Sequence, residues 1–119
     1  MATNIIAFNG GYWRGASVIS VDSLPESISD NLASQILSIC SRNHISIEIC
    51  LLKVGNQNAL RVLLILRAFS YSREDVASRL SQYGEIILHR LKESGMDADY
   101  QEIQTIKDNP YNKFFSENP

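Results

Sequence analysis

The sequence predicts an α+β domain in which an antiparallel sheet carries two helices on one face, with an extra strand in front. Three observations carry that prediction. Stretches with period-two alternation and stretches with three-and-four spacing follow one another as strand, helix, two strands, helix, strand between Ala16 and Ile106. A turn-forming run, Gly55-Asn56-Gln57-Asn58, joins the two middle strands into a hairpin. A serine with an acidic residue three positions later precedes each helical stretch.

Ile5 to Phe8 is a short strand closed by Asn9-Gly10-Gly11, a hairpin signal. Tyr12-Trp13-Arg14 continues from it, Gly15 marks a bulge or kink, and Val18, Ile19 and Val21 form the next strand. Ser23 to Glu26 has capping-box spacing, with Pro25 in the first turn. Ile28, Leu32, Ile36, Ile39 and Cys40, with Leu37 widening the stripe, then form one buried helical face that stops near Asn43. Ile45, Ile47, Ile49 and Leu51 share one face of the third strand, and Leu60, Val62, Leu64 and Leu66 share one face of the fourth. Ser72 and Asp75 start a second helix with a stripe of Val76, Leu80, Tyr83, Ile87, Leu88 and Leu91, ended by Gly95. A weaker strand spans Ala98 to Ile106, so residues 1–106 form one domain and 107–119 a polar tail.

Two βαβ halves around a central hairpin fit the ferredoxin-like, split βαβ arrangement. Its first core strand is central, with neighbours on both sides. The extra N-terminal strand therefore either pairs only with Tyr12–Arg14 or displaces the last strand from the sheet edge.

The chain has 119 residues, 45% hydrophobic and 20% charged, which suits a single globular domain. A formal net charge of -2 and a pI near 5.6 give no general attraction to phosphate backbones. No secretory signal or membrane-spanning run is legible, so a cytoplasmic, membrane-free protein is expected. Cys40 and Cys50 read as reduced packing residues.

No phosphate loop, nucleophile elbow or zinc-binding spacing occurs, so no catalytic residue, metal ligand or cofactor is assigned. Glu85, His89 and Glu93 line one side of the second helix as a solvated charged face. RNA-recognition modules share this element order and stack bases on aromatics of the two central strands. Ile19 to Leu24 puts serine where that aromatic belongs, and the strand from Leu60 to Phe69 lacks the glycine-aromatic pattern. A nucleic-acid-binding module is therefore a less favoured alternative, and an enzyme is the least supported class.

The sheet face away from the helices would carry Cys50, Leu52, Val54, Leu63, Ile65 and Phe69, more apolar than a solvated face should be. Tyr12, Trp13 and Arg14 add the residue types common at binding hot spots. The expectation is a non-enzymatic protein–protein interaction or assembly domain, an oligomer of itself or an accessory subunit of another protein. Its interface would be built from Leu52, Leu63, Ile65, Phe69, Tyr12, Trp13 and Arg14. The alternative is a regulatory domain that senses a small molecule.

Overall fold

The computed structural model describes residues 5–22, 28–53 and 60–101. Their elements are β1 (Ile5–Asn9), β2 (Tyr12–Val21), α1 (Asp30–Arg42), β3 (Ser46–Lys53), β4 (Leu60–Ser70), α2 (Arg73–Glu93) and β5 (Ala98–Gln101). The five strands form one antiparallel sheet ordered β1-β2-β4-β3, and β5 also pairs with β2. The architecture is α+β with two helices, compatible with a ferredoxin-like arrangement.

The conflict over the edge of β2 is resolved by division. β1 takes residues 12–16 of that edge and β5 takes 18–21, with only Ser17 between them. β1 joins β2 through a tight two-residue turn, with Gly10 and Gly11 at φ 62° and 90°. Gly15 is no bulge, because its pairing runs unbroken to both Ile6 and Ala68. It is glycine because α2 lies directly over it: a Cβ there would stand 2.6 Å from Val76 Cγ1 and 2.9 Å from Leu80 Cδ1. Gly84 serves the same end further along α2, where the Tyr100 hydroxyl of β5 would meet a Cβ at 3.0 Å.

Both helices begin on serine caps. Ser72 accepts from the Asp75 amide, as the sequence suggests. The first helix starts later than the sequence suggests. Ser29 is its N-cap, accepting from the Leu32 amide at 3.1 Å, and Ile28 packs against the core ahead of the helix. The Ser23–Glu26 capping box falls outside the described residues, as do Val54, the Gly55–Asn58 turn, residues 102–106 of the last strand and the tail.

The helices end on the same hydrogen-bonded motif. The Ile45 amide donates to the Cys40 carbonyl and the Met96 amide to the Leu91 carbonyl, each bridging a left-handed residue. In α2 that residue is Gly95, at φ 87°. In α1 it is His44, at φ 55°, where a side chain is rare.

The main core lies between the helices and the sheet. Leu32, Ile36 and Ile39 of α1 and Val76, Leu80, Ile87 and Leu91 of α2 meet Ile19, Val21, Val62, Leu64 and Leu66. Alternation then sends Ala16, Val18, Leu63 and Ile65 to the other face.

Candidate functional site

The predicted interface residues separate into three environments. Leu63 and Ile65, expected on an open apolar face, are 1% and 0% exposed. They form a second buried cluster with Ala16 and Val18, bordered by Ile5 and Cys50. Leu52 pairs with Arg61 through its backbone, and its side chain lies outside the described residues. Trp13 turns to the helix side, where its ring stands edge-on to Phe8 at 5.2 Å and packs against the main core. Tyr12, Arg14 and Phe69 remain together on the face away from the helices.

Register explains that grouping. Arg14 stands opposite Phe69, Ala16 opposite Arg67, and Arg67 opposite Ser46, so the three strands carry a row of polar and aromatic groups at one end of the sheet. The Tyr12 ring lies 6.1 Å from Phe69 and 5.3 Å from Tyr71, and both partners are largely exposed. Tyr12, Arg14, Ser46, Arg67 and Phe69 line a cleft of about 460 Å3 whose floor is Gly15 and Ala68. The Glu48 carboxylate stands 3.5 Å from the Arg67 guanidinium, at the β3 side of the cleft.

One residue of α2 fixes this end of the molecule. Arg79 donates to the carbonyls of Asn43 and His44, at 3.2 and 3.1 Å, and to that of Phe69 at 2.7 Å. It also pairs with Asp75 one turn earlier, at 3.1 Å. A single guanidinium therefore ties the end of α1, the end of β4 and the start of α2. A hydrogen bond from Ser70 and the Arg79 charge together hold the Asp75 carboxyl below its ordinary range.

The exposed apolar surface lies elsewhere, along β3. β3 ends the sheet, and among the described residues its second side has no strand partner. Ile49 and Leu51 point to the helix side yet are 59% and 56% exposed. Leu37 of α1, expected to widen the buried stripe, is instead 54% exposed. Its flank follows from helix geometry: Gln35 binds Arg90 of α2 at 2.7 Å, and two residues at about 100° each place Leu37 on the side away from α2. α1 packs against β3 as well as α2. Sequence alternation assigned Ile49 and Leu51 to the core, and the position of β3 at the sheet margin leaves them uncovered.

Groups that carry chemistry elsewhere are set up for packing or solvation. Burial pushes the Cys40 thiol up to about 11, and the Cys50 thiol is raised by burial and then by Glu48, so neither is a ready nucleophile. His89 pairs with Glu93 on an exposed helix face. Among the described residues no three His, Cys, Asp or Glu side chains come together as a metal site, and no helix is long and apolar enough to cross a membrane. Comparison with protein-family models, curated proteins and solved structures finds no match to this chain.

Proposed function

We propose that the chain is a non-enzymatic assembly domain that joins to a second copy of itself through β3. The frame we assign is the split βαβ, ferredoxin-like one. β5 lies beside β2, and β4 lies between β2 and β3, so each helix connects strands separated by one neighbour. The observation that carries the functional reading is the exposure of Ile49 and Leu51 beside an open strand edge, with Leu37 exposed on the helix that packs against that strand. An edge strand presents amide and carbonyl groups that another strand satisfies, and natural edges are usually guarded by charge or proline. From Ile47 to Leu51 the only charge is Glu48. Antiparallel pairing about Ile49 sets Ile49 against its own copy and Ile47 against Leu51 of the second chain, so apolar residues meet on the helix side. This moves the interface from the centre of the sheet to its margin.

Hydrogen exchange at rising protein concentration tests the reading. The amides of Ser46–Lys53 are expected to become protected as the second copy docks, while those of the short β1 edge stay unchanged. Exchange in β3 that is independent of concentration contradicts it.

A further inference from the structure

The cleft at the Tyr12 end of the sheet lies on the face away from the helices and takes only Ser46 from β3, and its chemistry differs from that of the β3 edge. It combines exposed aromatic faces with two guanidinium groups on the two central strands, on the face opposite the helices. Aromatic side chains offer a stacking surface to any nucleobase, and arginine offers paired donors to a phosphate. We propose that this cleft binds a nucleotide, its base stacked against Phe69 and the Tyr12–Tyr71 pair and its phosphate held by Arg14 and Arg67.

Four features support the assignment. Phe69 and Tyr71 are largely exposed, and Tyr12 meets both through ring edges and tilted faces, so stacking area is left on the pair. Arg14 lies directly across from Phe69 and diagonal to Arg67, which places charge next to the rings on one face. The cleft volume of about 460 Å3 lies within the 300–1,000 Å3 common for small-molecule sites. Finally, Arg79 anchors the Phe69 carbonyl and the chain just before Ser46, so both cleft walls are fixed before a ligand arrives.

The net charge of -2 describes the whole chain, whereas a phosphate in the cleft meets the guanidinium groups of Arg14 and Arg67, with Glu48 beside Arg67. Motif reading misses the site because it looks for aromatics around Ile19–Leu24. The rings stand instead at the opposite end of β2 and at the end of β4, where register brings them together.

The chemistry is common to a free mononucleotide and to one unit of a single strand. Isothermal titration of the full chain with AMP, UMP and inorganic phosphate, and anisotropy of a labelled ten-residue oligouridylate, separate the two. The expected result is saturable nucleotide binding that Phe69→Ala and Arg14→Gln each weaken about ten-fold or more. The β3 variant Ile49→Lys should leave it unchanged, and circular dichroism checks that each variant is folded. Tighter, salt-sensitive binding of the oligomer assigns the site to a single strand, and equal or tighter binding of the mononucleotide assigns it to a free ligand. Absence of binding by both at millimolar ligand overturns the proposal. So does phosphate alone matching AMP with no effect of Phe69→Ala.

Discussion

At the scale of single residues, two positions show how local chemistry sets this end of the molecule. His44 occupies a left-handed conformation that costs an L-residue about 1–2 kcal/mol and costs glycine little. The His44 carbonyl accepts from Arg79, a bond that glycine retains. His44→Gly is therefore expected to raise stability by about 1 kcal/mol, read as a higher denaturation midpoint at unchanged slope. A midpoint that falls would mean that the imidazole itself holds the loop. Arg79 is the converse case. Its bonds to three carbonyls and to Asp75 use the full planar fork. Hydrogen bonds from a charged donor contribute about 1.5–3 kcal/mol each, and they do not add. Arg79→Ala should cost about 2–4 kcal/mol in urea unfolding, with Arg79→Lys recovering less than half. Full recovery by lysine would show that only the charge matters.

At the scale of elements, the contact between β2 and α2 depends on the missing side chain at Gly15. A methyl group there meets Val76 and Leu80 well inside van der Waals contact, so α2 must lift from the sheet. Gly15→Ala is expected to destabilise by about 1–3 kcal/mol in chemical denaturation, although alanine in a strand interior is ordinarily no worse than glycine. A neutral result would mean that the helix moves freely over β2. This glycine also shows where reading the sequence stops. Period two and three-and-four spacing placed the central hairpin and both helices, and turn signals placed the first strand, because all of these are properties of neighbouring residues. The reason for Gly15 is a helix 60 residues away, and local pattern offered only a bulge. The start of α1 was misplaced on similar grounds, since Ser23–Glu26 and Ser29 both have cap chemistry and only the packing of Ile28 outside the helix distinguishes them.

At the scale of the whole molecule, the sheet distributes exposure in a way that alternation alone does not predict. Which face each residue of β4 and β3 takes was legible. How much of each face is covered was not. Leu63 and Ile65 sit on the central strand β4 and are buried, whereas Ile49 and Leu51 sit on the marginal strand and are open. The aromatic cleft was legible only as residue types. Tyr12, Arg14 and Phe69 were each singled out, but their meeting with Arg67 and Ser46 depends on the register of three strands. One consequence is practical. A charge placed at Leu63 would test the interior rather than an interface, because that side chain has no exposed surface to give.

The central claim is that β3 joins two copies of the chain, and absolute mass in solution tests it most directly. Light scattering coupled to size-exclusion chromatography, from micromolar to near-millimolar concentration, is expected to give twice the 13.4 kDa chain mass as concentration rises. Ile49→Lys, at an exposed position, should return the protein to a folded monomer. A wild-type chain that stays monomeric throughout, or a dimer indifferent to Ile49→Lys, would contradict it.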